Sequence, residues 1–211
     1  MASIKSGASS DFLSVDATSK AARVTLYDAT GRELSSQNKL TFGISSSFTP
    51  AATPSDLVII EGSATKTIRI ISMAIGTTNT AAGSQEFRLI KRSAADTTGT
   101  FVSAGTPVPF DSNNAASTVN RVGHFTANPG ALGTAVGTIN MVRVASPAAI
   151  PATWAGVREL ADVELIPWAS WSLMDQPITL RGVAQTLAIN FNGVALVAGQ
   201  THTYRIVWIE E

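Results

Sequence analysis

From Asp56 to the C-terminus the chain is a succession of short runs rich in Val, Ile, Thr and aromatic residues, each closed by Gly, Asn, Asp, Ser or Pro. Runs of this length and composition suit strands of a half-buried sheet rather than helices, and their number points to an all-β sandwich or barrel. The spacing predicts strands over 57–61, 67–75, 85–91, 101–110, 118–124, 136–145, 163–173, 178–181, 185–191 and 202–210. Leu187, Ile189 and Phe191 alternate with Ala188, Asn190 and Asn192, and Phe87 and Leu89 flank Arg88, so the large groups of each run share one face. In 67–75 the phase slips: Ile68 and Ile70 hold one face, then Ile71, Met73 and Ile75 hold the other, which predicts a β-bulge between Ile70 and Ile71. No convincing amphipathic helix is present; 154–160 has room for one short turn.

Two runs are apolar on both faces. In 136–145, Ile139 and Met141 oppose Val142 and Val144; in 202–210, Tyr204, Ile206 and Trp208 oppose Val207 and Ile209. Such strands are covered on both sides, by a loop, a second sheet or a neighbouring subunit. The connections 93–100 and 145–161 are rich in Ala, Thr and Pro and poor in charge, which fits either contact with another protein or a low-charge surface.

Residues 1–54 differ in character. They carry little apolar periodicity and end in Ile44-Ser45-Ser46-Ser47-Phe48-Thr49-Pro50-Ala51-Ala52-Thr53-Pro54, which reads as a linker. One alternating run, Ala22-Arg23-Val24-Thr25-Leu26-Tyr27, precedes a turn at Asp28-Ala29-Thr30-Gly31. The expected organisation is an extended N-terminal anchoring arm and linker (1–54) followed by an antiparallel β-sandwich, jelly-roll-like, over 55–211. An arm of this kind buries too little apolar surface alone to offset a backbone entropy of roughly 1–2 kcal/mol per residue, so it is expected to order against a partner or to remain a flexible leader.

Composition narrows the function. Only 14% of the residues are charged, and 15 Lys plus Arg balance 15 Asp plus Glu. A chain without a cationic surplus lacks the phosphate-neutralising face that nucleic-acid binding requires. The absence of Cys removes disulfides, thiol nucleophiles and Cys-based metal sites. No segment reaches the ~20 apolar residues of a membrane-spanning helix, and the N-terminus lacks a secretory h-region, so the chain reads as soluble and unprocessed, with no membrane partner.

No catalytic motif stands out. His124 and His202 are far apart in sequence, and a metal site would need both together with carboxylates. There is no Gly-x-Ser-x-Gly elbow and no phosphate-binding glycine loop. Glu159, Asp162 and Glu164 form the one acidic group of the β region, which reads as a solvated strand entry before it reads as a hydrolytic pair. Residues 111–114, Asp-Ser-Asn-Asn, offer oxygen ligands for Ca²⁺ without the spacing of a calcium loop and read as turn chemistry. Trp154, Trp168, Trp171 and Trp208 suit packing, or in a sharper reading a glycan platform, although Trp168 and Trp171 fall on opposite faces of a regular strand. No enzyme activity, cofactor or metal is therefore expected.

Residues 9–34, including Asp11-Phe12-Leu13-Ser14-Val15-Asp16 and Ala22-Arg23-Val24-Thr25-Leu26-Tyr27-Asp28-Ala29-Thr30-Gly31-Arg32, resemble the N-terminal segment of structural proteins of tailed bacteriophage virions. The β region, through Ser63-Ala64-Thr65-Lys66-Thr67-Ile68-Arg69-Ile70, Arg92-Ser93-Ala94-Ala95-Asp96-Thr97-Thr98-Gly99-Thr100, Val108-Pro109-Phe110-Asp111-Ser112-Asn113 and Leu180-Arg181-Gly182-Val183-Ala184-Gln185, is similar to phage particle proteins as well. The resemblance implies a virion component made in the host cytoplasm, placed on the head in preference to the tail: a capsid decoration protein or head fibre. The arm, through Val24, Leu26 and Tyr27, would dock on the major capsid protein or another virion protein by strand addition. Val207, Trp208 and Ile209 would form the interface of a homo-oligomer, a trimer by the habit of such proteins. The alternative is a tail fibre or receptor-binding module whose loop tryptophans and residues 111–114 contact a host surface glycan.

Overall fold

The computed structural model of the chain describes residues 14–15, 22–23, 39–78, 81, 83–146, 159–166 and 177–211. These contain strands and no helix. The chain divides into two units, Met1–Lys39 and Leu40–Glu211. In the first, β1 (Ser14–Val15) pairs antiparallel with β2 (Ala22–Arg23). Val24, Leu26 and Tyr27, the expected arm anchors, lie outside the described residues, as do Trp154, Trp168 and Trp171.

The second unit carries β3 (Leu40–Phe48), β4 (Asp56–Glu61), β5 (Thr67–Thr78), β6 (Gly83–Arg92), β7 (Thr100–Ser103), β8 (Val108–Pro109), β9 (Val122–Ala127), β10 (Ala135–Ser146), β11 (Glu159–Ile166), β12 (Ile178–Arg181), β13 (Thr186–Asn190) and β14 (Thr201–Glu210). One sheet has the order β10-β6-β13-β4-β9-β7, and the other β11-β5-β14-β3-β8, with β12 also on β5. The pairings are antiparallel, and they nest: β3 with β14, β4 with β13, β5 with β11 and β12, β6 with β10. A ribbon whose early strands each pair with the mirror-image late strand, rolled so that successive strands alternate between two sheets, is a jelly roll. The excursion from β7 to β9 widens both sheets, β9 and β7 beyond β4, and β8 beyond β3.

The core between the sheets is built by alternation. Leu187 and Ile189 of β13, Phe87 and Leu89 of β6, and Tyr204, Ile206 and Trp208 of β14 are buried in one cluster. On β5, Val207 pairs with Ser72 while Trp208 pairs with Ile70, so Ile71 is the extra residue of a bulge at the predicted place. The bulge returns Met73 and Ile75 to the face of Ile68 and Ile70, and all four are buried in the same cluster.

The structure corrects the boundary expected at residue 54. Leu40–Phe48 is a full strand that pairs with β14 along its whole length, from Leu40 opposite Glu210 to Phe48 opposite His202. Its inward residues Phe42, Ile44 and Phe48 are buried, while Ser45 and Ser47 face outward and are exposed. Ser45 and Ser47 of the run that resembles a linker lie on the solvated face of an amphipathic strand, and Ser46 between them is half-buried. The run expected over 101–110 splits into β7 and β8 around Gly105 and Pro107, and the strand expected from 118 starts at Val122. The strand expected over 163–173 begins at Glu159 and is described as far as Ile166.

Candidate functional site

The candidate subunit contact at the end of β14 is largely consumed within one protomer. Trp208 is fully buried, its ring stacked on Phe42 at 6.0 Å with its indole N–H donating to Glu210 Oε1 at 3.1 Å. Val207 is also buried, on the outer face of the same sheet, and only Ile209 retains partial exposure. The second apolar layer that the sequence demands over Val207 is supplied by the chain itself, from the segment 104–110. That segment roofs a cleft of about 490 Å³ lined by Gly43, Ser45, Val108, Phe110, Arg205 and Val207. A Cβ on Gly43 would stand 2.9 Å from the Phe110 ring, so the roof closes this far only over glycine. Phe110 remains 57% exposed at its edge.

Two-sidedness has a different outcome on β10. Val142 and Val144 pack toward the core, whereas Val136, Ile139 and Met141 are 64%, 47% and 57% exposed on an edge strand of its sheet. Among the described residues these three form the row of large apolar side chains on one strand that has no cover.

The histidines come together, in the core. His124 stacks on Phe48 at 4.3 Å and its Nδ1 is 3.2 Å from the Tyr204 hydroxyl. His202 packs against Phe48, Phe87 and Phe191, with Nδ1 2.8 Å from Thr77 Oγ1. Burial lowers both, His202 to about 4, and raises Tyr204 to about 12. Two neutral imidazoles in an aromatic box are packing groups. Among the described residues no group of three or more His, Asp or Glu gathers to hold a metal. The sign for stability follows from the lowered value: unfolding frees His202 to take a proton, so stability is lost as pH falls from 6.5 toward about 4. Replacing His202→Phe is expected to flatten that acid limb in urea titrations; an unchanged slope would show that His202 is charged in the fold.

Among the described residues, the buried carboxylates Asp56, Glu61 and Glu210 bind side chains and backbone of the fold itself. Glu61 accepts from Arg121 Nε at 2.9 Å and from Asn120 Nδ2 at 2.6 Å. Burial pushes the Glu210 carboxyl up, and hydrogen bonds from Ser117, Trp208 and Thr118 outweigh it and hold it below the usual range. Asp56 is gripped by Arg92 at 2.6 and 2.8 Å and by Asn190, and Arg92 also donates to the Gly133 carbonyl at 2.7 Å. Of the acidic group singled out in the sequence, Glu164 is exposed and pairs with Arg205 at 3.5 Å. The side chains of Glu159 and Asp162 lie outside the described residues. In 111–114, Asp111 Oδ1 accepts the Asn113 amide and the Asp111 carbonyl accepts that of Asn114, a turn as expected.

The Asp56–Arg92–Asp96 constellation was not visible to sequence reading, because its members lie on different strands and loops. The available signal was a charged residue placed inside or beside an apolar run, as Arg92 follows Leu89 and Ile90 in a chain that uses few charges. No protein-family model matches the chain, nor does any curated protein or any solved structure. No helix among the described residues is long and apolar enough to cross a membrane.

Proposed function

We propose that this chain is a non-enzymatic structural protein of a bacteriophage particle, decorating or stabilising the capsid. The observation that carries the reading is a jelly roll whose buried charges tie its own strands and loops together, while Val136, Ile139 and Met141 stay exposed along edge strand β10. Edge strands are normally shielded by charge or proline, so an apolar row at an edge fits burial against another subunit. Jelly rolls build viral capsid proteins among other assemblies, and the resemblance of residues 9–34 to phage virion segments points the same way. In this reading the domain packs with symmetry mates as a homo-oligomer, a trimer by analogy. The arm, through Val24, Leu26 and Tyr27, attaches it to the major capsid protein or another virion protein.

A second reading, a tail fibre or receptor-binding module for a host surface glycan, is favoured by Phe110, which stands exposed at the cleft rim directly before the turn at 111–114. An exposed aromatic ring offers apolar contact area and the polar turn beside it offers hydrogen-bonding groups, the combination that ligand sites use. Labelling the protein on purified particles and imaging them separates the two. Label over the head is the expected result, label at the tail supports the receptor reading, and a protein absent from particles overturns both.

A further inference from the structure

Three buried or half-buried elements meet where β4, β6 and the excursion between β6 and β10 come together. Asp56 opens β4, Glu61 closes it, and Arg92 closes β6; Asp96 lies on the loop that follows Arg92, and Arg121 precedes β9. Asp56, Glu61, Arg92 and Asp96 are all buried. Arg92 Nε donates to Asp56 Oδ2 and stands 3.7 Å from Asp96 Oδ1, so the two aspartates face one N–H. Arg121 is committed to Glu61 and to the backbone carbonyl of Asp96.

Three carboxylates thus face two guanidiniums, and the charge balances only with one added proton. The hydrogen bonds say where it sits. Asp56 receives both donors of the Arg92 fork and the Asn190 amide. Glu61 receives Arg121 and Asn120. Asp96 Oδ1 accepts the Gly133 amide at 2.8 Å, and Asp96 Oδ2 is buried without a partner. An ionised carboxylate has only acceptors, and a buried oxygen without a donor is costly; a protonated one becomes a donor, and the carboxylate it meets is Asp56.

We propose that Asp56 and Asp96 share one proton, carried on Asp96, and that this acid pair is a proton-dependent latch holding the loop 93–99 and the turn 130–134 onto the sandwich. With the proton in place Asp96 bridges Asp56 and the Gly133 amide. Without it, two negative charges confront one guanidinium in a dry site, and the loop and turn are the parts able to separate. Their fit is close: a Cβ on Gly133 would fall 1.8 Å from the Ala94 carbonyl oxygen. Burial, the Asp56 charge and the Asp56 contact together raise Asp96 to about 7, against the smaller opposing pulls of the Gly133 amide and Arg92. A raised carboxyl means that the fold holds a proton which the unfolded chain has released. The latch therefore contributes fully in acid, and its contribution is lost as pH rises from the unfolded value of 3.8 through about 7.

The test is Asp96→Asn in the full chain, since an amide places a permanent N–H where the proton would be. Thermal midpoints of both proteins are measured from about pH 5 to about pH 8, and taking their difference cancels the histidines, which titrate with the opposite sign. The variant is expected to gain on the parent as pH rises and to be the more stable at about pH 8. A difference that stays constant with pH, or a variant destabilised most at high pH, overturns the proposal. Should the variant not fold, carboxyl carbon NMR on the unaltered chain decides. A buried carboxyl that stays protonated to near neutrality is expected, and titration of every carboxyl in the ordinary acidic range overturns the latch. Exchange of the Gly133 amide, faster above neutrality than its intrinsic base catalysis explains, would mark the opening; protection that does not change with pH would count against it.

Discussion

Replacing Trp208 by Ala is expected to cost the β-sandwich about 3–5 kcal/mol, the range for deleting a large aromatic from a core that cannot collapse around the gap. The ring is fully buried between the sheets, beside Phe42, on a strand paired on both sides, by β3 and by β5. Its loss also strips a donor from Glu210, the carboxylate that holds Ser117 and the Thr118 amide on the loop leading to β9. Trp208→Phe, which keeps one aromatic ring in the core but removes the other together with its N–H, should cost less, with about 1.5–3 kcal/mol from the lost hydrogen bond to a charged group and the rest from the smaller gap. Urea unfolding of the two variants checks the ordering. If Trp208 served instead as a contact between copies, Trp208→Ala would leave protomer stability near the parent value and lower only the assembly constant. A shift in assembly without a shift in the urea midpoint would refute its placement in the core.

The residues show why part of this architecture was legible and part was not. Period-two alternation identified β13 and β6, and the phase slip at Ile71 located a bulge, because both are local consequences of a strand lying on one core. β3 is hidden because its outward positions are Thr41, Gly43, Ser45 and Ser47 and Ser46 interrupts the apolar positions between Ile44 and Phe48. Composition, averaged over a window, hides an alternation of Phe42, Ile44 and Phe48 that is plain once read at every second position. β14 and β10 both carry apolar groups on both faces, yet one strand is roofed by its own chain and the other lies at an edge. That distinction depends on strand order, which no local pattern carries. The acid pair is the extreme case: Asp56 and Arg92 belong to different strands, and only the roll of the ribbon brings them within hydrogen-bond distance.

The position of β3 also determines how the anchoring arm can be tested. Removing residues 1–39 is expected to leave a cooperative, soluble sandwich, because every strand of the Leu40–Glu211 unit remains. Removing residues 1–48 is expected to abolish folding. It takes Phe42, Ile44 and Phe48 from the core, a loss on the order of 5–9 kcal/mol at ~1.5–3 kcal/mol for each buried side chain. That is comparable to the whole stability of a typical domain, about 5–15 kcal/mol. It also strips β14 of one of its two partners along the full strand, leaving the edge of a strand that carries Tyr204, Ile206 and Trp208 open to aggregation. Circular dichroism and sedimentation of the two truncations check this; a folded, monodisperse 49–211 fragment would return Leu40–Phe48 to the linker. The consequence for function is direct. A deletion through residue 54 that no longer binds particles would be uninformative, since the sandwich itself would be lost. A deletion ending at Lys39 isolates the arm: binding that disappears while the sandwich stays folded assigns attachment to residues 1–39, and binding that persists moves it to the exposed row on β10.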